Sequence, residues 1–210
     1  MRKCAFPLVV LTLLCAGITG SRAQGLPTVF INEIHYDNTG ADTGEFVEIA
    51  GPAGTNLAGY QILLYNGAGG AVYDTKNLSG TIPNQMNGFG TVIQTYSGTF
   101  QNGSPDGVAL VLNGAVIQFL TYEGSFVAVG GPANGMTGVD IGVTENGSGP
   151  VGDSLRLAGT GTGYSDFTWQ TSAAASSGAA GSRGIVGRNG RRRRRTAPPA
   201  RTSCRPRASA

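Results

Sequence analysis

The side chains with most chemical reach are gathered in one stretch, Asp37-Asn38-Thr39-Gly40-Ala41-Asp42-Thr43-Gly44-Glu45. Oxygen donors interrupted by glycine can fold around a hard cation such as Ca²⁺. Asp37, Asn38, Asp42 and Glu45 are therefore the candidate metal ligands, and calcium is the one cofactor the chain suggests. The spacing is not that of an EF-hand. Counted from Asp37, Glu48 falls at the twelfth place, but Ala41 takes a ligand place and Asp42 the place that needs glycine. The competing reading is a solvated hairpin loop, in which Asp and Asn bond their own backbone.

Beside this loop stands His35, the single histidine. A hydrolase using it as a base needs a nucleophile and an orienting acid. No Gly-x-Ser-x-Gly elbow and no His-Glu-x-x-His motif is present. A metal-dependent phosphodiesterase would have to be built from His35, Asp37, Asp42 and Glu45. The competing reading is a strand histidine hydrogen-bonded at the loop edge. Glu33, Glu45 and Glu48 come near one another if the strands that carry them pair. Paired carboxylates do acid/base chemistry once their pKa values are driven apart; the plainer expectation is solvent, or a partner in Lys76 or Arg156. The Gly-rich run 158–163 lacks the lysine and following helix of a phosphate cradle and reads as turns.

Charge is split along the chain. Residues 24–182 hold all 12 acids against two bases, Lys76 and Arg156, a net of −10; residues 183–210 hold ten arginines and no acid. The acidic part repels nucleic-acid phosphate, and the arginine-rich part attracts it. Arg191, Arg192, Arg193, Arg194 and Arg195 are the candidate polyanion-binding residues, for extracellular nucleic acid or a cell-surface polymer. Two other readings of this segment stay open: that it folds back on the acidic part, or that it is an out-of-frame end, since Arg, Ala, Pro, Gly and Ser dominate it. Its composition predicts disorder over 178–210.

The elements that must position these groups read as β throughout. Glycine is frequent, 35 of 210 residues, and punctuates short β-type runs, with no long helical apolar period. Strands are predicted over 29–36, with apolar groups on both faces and hence a covered, central place, and over 45–49 and 60–65. Shorter ones fall at 71–73 and 91–96. Two runs, 108–112 and 115–122, flank Asn113-Gly114, the pair a type I′ hairpin turn asks for. Residues 130–149 read as a long loop with an edge segment at 139–143. Closing strands are expected at 154–157 and 166–169, with Trp169 in the core or its rim.

Residues 1–23 read as a secretory signal. A charged start precedes the apolar run 6–18, and Ser21-Arg22-Ala23 fits the cleavage rule. The run is shorter than the ~20 residues of a membrane span. Of Cys4, Cys15 and Cys204, two leave with the signal, so no internal disulfide is expected in the exported chain. The expectation is a secreted, monomeric all-β sandwich over 24–177, without a transmembrane segment.

Several motifs agree in order with one family. Asn32-Glu33-Ile34, Glu45-Phe46-Val47-Glu48-Ile49 and Leu57-Ala58-Gly59-Tyr60-Gln61-Ile62 resemble the lamin tail domain, with Tyr60 where tryptophan is commoner. QFLTYEGSF, GPANGMTGVDIGV and GTGYSDFTW look like the version attached to secreted bacterial nucleases of the endonuclease/exonuclease/phosphatase type. The resemblance spans 27–177. It implies an immunoglobulin-like β-sandwich acting as a non-catalytic interaction or targeting module. The nuclease domain of such relatives has no counterpart here. One alternative is thus a truncated or frameshifted part of a secreted nuclease, and another the phosphodiesterase above.

Overall fold

The computed structural model describes residues 28–98 and 100–178. Ten strands follow in order: β1 (Phe30–His35), β2 (Phe46–Pro52), β3 (Tyr60–Asn66), β4 (Ala71–Asn77), β5 (Phe89–Thr95), β6 (Asp106–Leu112), β7 (Ala115–Tyr122), β8 (Val139–Asp140), β9 (Asp153–Gly159) and β10 (Phe167–Ala174). A 3-10 turn at Tyr164–Asp166 precedes β10. The strands make two five-stranded sheets, β10-β9-β1-β2-β5 and β4-β3-β6-β7-β8. Pairing is antiparallel except between β7 and β8. The fold is all-β and β-sandwich-like. The predicted signal at 1–23 and the arginines 191–195 lie outside the described residues.

Strand β1 is the middle strand of its sheet, and all six of its residues are buried. This is the covered, central place that apolar groups on both faces predict. Strict alternation would put Val29 and Ile31 opposite Phe30, Ile34 and Tyr36. Instead the ladder slips between Ile31 and Glu33, and all five side chains join one core cluster. A bulge sets two residues against one and re-aims those that follow. The freed Ile31 N–H is not orphaned: it donates across the sandwich to Gln118 Oε1 on β7, at 2.7 Å.

Between the sheets this cluster includes Ile34, Val47, Ile49, Ile62, Leu64, Val108, Leu110, Leu120, Leu155 and Trp169. Each such large apolar side chain contributes about 1.5–3 kcal/mol on burial. Trp169 sits at the rim, its indole N–H donating to the Tyr164 hydroxyl at 2.9 Å. A second, smaller cluster lies on the outer face of the other sheet. There Leu63, Tyr65, Ala109, Val111 and Phe119 are covered by Ala128 and Ala133. This explains why β3 is apolar at alternate and at intervening positions.

The Asn113-Gly114 turn forms as its residues predict, with φ of 49° and 81°, and joins β6 to β7. Two strands run further than the apolar pattern. Strand β2 continues past the predicted end at 49 through Pro52, which pairs with Phe89 of β5. Strand β10 continues past the predicted end at 169 to Ala174. Beyond it residues 175–178 cross the outer face of the first sheet, and Gly178 is held by Glu48.

Candidate functional site

The acidic loop leaves β1 at Tyr36 and enters β2 at Phe46. Asn38 is its pivot. Its Oδ1 accepts from Thr43 N at 3.0 Å, and its Nδ2 donates to the carbonyls of Thr39 and Ala41. Asp42 Oδ1 accepts from Asn38 N, and Asp42 Oδ2 from Asn102 Nδ2. These are bonds of a loop to its own backbone and to a neighbouring loop. Asn38 is buried; Asp37 and Asp42 are half-buried. Glu45 is buried, with Oε2 accepting from Gly98 N at 2.8 Å and the Phe100 backbone N–H also directed at the carboxylate. Burial, and then the charge of Asp42 against the relief given by Gly98, push Glu45 above the usual carboxylate range. Asp37 is pushed up by burial and by Asp42, partly relieved by Asn102. The fold thus brings Asp37, Asp42 and Glu45 into one electrostatic neighbourhood. Among the described residues no three His, Cys, Asp or Glu side chains are arranged to hold a metal ion.

His35 is buried at 2% exposure. Its Nδ1 lies 3.0 Å from Glu145 Oε1, and its Nε2 3.2 Å from the Thr43 carbonyl. The Thr43 carbonyl accepts, and Glu145 accepts when ionised, so the imidazolium form satisfies both ring nitrogens. Burial opposes that charge, but the hydrogen bond and attraction of Glu145, with the Thr43 carbonyl, outweigh it and raise the pKa. Glu145 Oε2 also accepts from Tyr36 N and Asp37 N at 2.7 and 2.9 Å. The Tyr36 hydroxyl closes the network, accepting from Glu145 N and donating to Glu123 Oε1. His35 therefore faces an acid and a carbonyl, and no nucleophile. Glu145 sits in a Gly-rich loop with no local pattern, and nothing in the sequence marks it as the partner.

Glu33 and Glu48 are register partners on β1 and β2. Both are buried, and neither meets Lys76 or Arg156, contrary to the plainer expectation. Lys76 bonds Asp74, and Arg156 Nη1 donates to the Ala174 carbonyl. Hydroxyl, amide and carboxamide donors take the place of cations. Glu33 Oε1 accepts from Ser154 Oγ at 2.6 Å and Ser176 N at 2.8 Å, and Oε2 from Ser176 Oγ at 2.7 Å. Glu48 accepts from Asn32 Nδ2 at 2.8 Å and Gly178 N at 2.5 Å. Burial pushes Glu48 up to about 7, against the pull of those donors and with the charge of Glu33 adding to the rise. Glu45 is not part of this pair; it belongs to the neighbouring loop.

Asp106 repeats the pattern, with Oδ1 accepting from Gly67 N and Oδ2 from Gly103 N, each at 2.9 Å. It floors an open cleft of about 410 Å³ lined by Asn66, Gln101, Asn102 and Ser104. The common chemistry of these buried acids is the anchoring of loop amides. The chain matches no protein-family model, no curated protein and no solved structure.

Proposed function

We propose that this chain is a secreted, non-catalytic binding or targeting module of the lamin-tail type, on an immunoglobulin-like sandwich. The observation that carries this reading is where the reactive side chains are used. His35, Glu33, Glu48, Asp106 and Glu145 all hold loops or strands to one another. His35, the one histidine, has an acid and a carbonyl as its partners and no nucleophile. The two-sheet architecture and the order of the Asn32-Glu33-Ile34 and Glu45–Ile49 motifs on paired strands support the same reading. The partner is an extracellular nucleic acid or anionic surface polymer, engaged by Arg191–Arg195, because the described residues are acidic and repel phosphate.

Incubation with plasmid DNA and Mg²⁺ or Ca²⁺ tests the non-catalytic part. No cleavage is expected; cleavage that vanishes in Asp42→Ala would replace this reading with the phosphodiesterase. For binding, DNA retention by the full chain is compared with that of a chain ending at Ser182. Salt-sensitive retention is expected of the full chain alone.

A second reading adds calcium at Asp37, Asn38, Asp42 and Glu45. It is favoured by the repulsion of Asp42 on Asp37 and Glu45, which a cation would relieve. Calorimetric titration with CaCl₂ decides it: heat that Asp42→Asn abolishes supports the ion, and no heat removes it.

A further inference from the structure

The second sheet has an unfinished edge. Strand β8 pairs with β7 only at Leu120 and Thr121. Among the described residues, 115–119 therefore pair with β6 alone. An exposed strand edge is a template for another strand, and proteins blunt it with charge, proline or a bulge. Ala115-Val116-Ile117-Gln118-Phe119 contains no charge and no proline. The one device present is a register slip against β6, between Leu110 and Val111, which sets Ile117 out of the ladder.

Along that edge a largely apolar, open cleft of about 230 Å³ runs between Ile117, Gln118 and Phe119 of β7, Val139 of β8, and Met136 and Tyr164. Val139 and Met136 stay exposed there, at 63% and 42%. Gln118 is 7% exposed. Its Oε1 accepts from Ile31 N, and that donor fixes which way round the carboxamide sits. Its Nε2 is buried and meets no acceptor among the described residues. A buried donor left unmade is costly, so the cleft asks for an oxygen. Its volume is below the ~300–1,000 Å³ of a pocket that encloses a drug-sized ligand, and suits a few side chains. No basic residue lines it. Lys76 lies on β4, at the opposite edge of the sheet, and Arg156 is turned to the Ala174 carbonyl. Asp140 follows Val139 directly, and Asp166 comes two residues after Tyr164. The rim therefore favours cationic ends on what binds, and a second copy of this acidic sandwich is repelled.

We propose that the free edge of β7 and this cleft bind an extended peptide as an added strand, with aliphatic side chains on either side of a hydroxyl-bearing one facing inward and basic residues at its ends. Each open group then gains what it lacks. The peptide backbone pairs with that of residues 115–119, which gives affinity, and alternate side chains enter the cleft, which gives specificity. The side chain beside Gln118 on the same face stands ~4.5–5.5 Å away between Cβ atoms, close enough for a threonine hydroxyl to accept from Nε2. The aliphatic neighbours cover Val139 and Met136. This site is separate from Arg191–Arg195 and works whether or not they engage a polyanion.

Amide NMR of the isotope-labelled full-length chain, titrated with the capped peptide KVSTSVK, tests this. Saturable shifts are expected at the amides of residues 115–119 and at the Gln118 side-chain NH₂, with the Asp37–Glu45 loop unmoved. Replacing the peptide's threonine with valine should weaken binding at least ~threefold. Only alternate peptide nitrogens face β7. Methylating one alternate set should therefore cost at least ~tenfold, and methylating the other under ~threefold. Val139→Lys alters an exposed position, so the melting temperature should hold while binding falls at least ~fivefold. No saturable shift at ~1 mM peptide overturns the proposal, and so do shifts that leave Gln118 unmoved. Equal effects of the two methylated sets overturn it in favour of a small apolar ligand held without strand pairing. A dimer in sedimentation that Val139→Lys dissolves overturns it in favour of a second copy.

Discussion

His35 Nδ1 lies 3.0 Å from Glu145 Oε1, so the end of β1 is tied to a loop 110 residues downstream. The same carboxylate caps the N–H groups of Tyr36 and Asp37, so one side chain fixes both the His35 ring and the start of the acidic loop. Glu145→Ala should therefore cost more than a surface substitution, about 2–4 kcal/mol, because it strands a buried imidazole and two backbone donors. Urea unfolding at pH 7 measures this. Glu145→Gln, which keeps an acceptor but no charge, should lose less. Equal and small losses in both would show that the pair does not hold the loop.

Stability should fall as pH rises from mildly acidic to alkaline. For Glu48 the folded pKa, about 7, exceeds 4.5, so its burial costs nothing well below 4.5. The cost grows between the two values and is constant above about 7, reaching at most ~3 kcal/mol. Asp37, Glu45, Asp106 and Glu123 are shifted upward too, burial being the first cause in each, and act in the same sense. For His35 the folded pKa is raised, so its stabilisation is complete below 6.5 and is lost as pH climbs through the folded value. Urea midpoints at pH 5.5, 7 and 9 should decline in that order. Glu48→Gln should remove part of the decline between 5.5 and 7. A midpoint that rises towards pH 9 would contradict the account.

Asp106 holds two loops at once, through Gly67 N and Gly103 N. Asp106→Ala leaves both donors without their acceptor and should cost about 2–4 kcal/mol. Residues 100–104 should also exchange hydrogen faster than the rest of the chain. If calorimetry shows a melting shift of only a degree or so, water replaces the carboxylate adequately and the anchoring argument fails for this acid.

Glycines that look alike in sequence should differ sharply. A Cβ at Gly67 would overlap the Pro105 carbonyl, and one at Gly90 the Pro83 carbonyl, both backbone atoms that cannot swing away. Gly67→Ala and Gly90→Ala should each cost at least ~1–3 kcal/mol. At Gly69 nothing lies within 4 Å and φ is not positive, so Gly69→Ala should be neutral or stabilise by up to ~1 kcal/mol. Comparable melting temperatures for all three variants would show that the two close approaches relax.

Local pattern was enough for most of the strand content. Asn113-Gly114 between two apolar runs dictates a hairpin because only a primed turn matches the strand twist, and both residues tolerate positive φ. The acidic loop between β1 and β2 was legible for the same reason: its Asp, Asn and Gly residues cannot continue a strand. Chemistry was less legible. His35 stood out because it is the only histidine, whereas its partner Glu145 lies in a loop that owes its place to contacts far along the chain. Glu33, Glu45 and Glu48 pointed to solvent or a base by their type, since charged residues are seldom buried unless paired. The fold buries them by supplying donors from Ser154, Ser176, Gly178 and Gly98 instead.

The residues alone determined that this chain pairs short strands into sheets, where its tight hairpin falls, and that β1 is covered on both sides. Those features depend on alternation and turn chemistry, which are properties of neighbours along the chain. Tertiary structure decided the rest: the Asn32 bulge that brings Ile31 and Ile34 into one core, the meeting of His35 with Glu145, and the passage of Ser176 and Gly178 over two carboxylates. Each joins segments that only sheet order makes adjacent, and desolvation, which sets whether an acid anchors a loop or meets water, is a property of that adjacency.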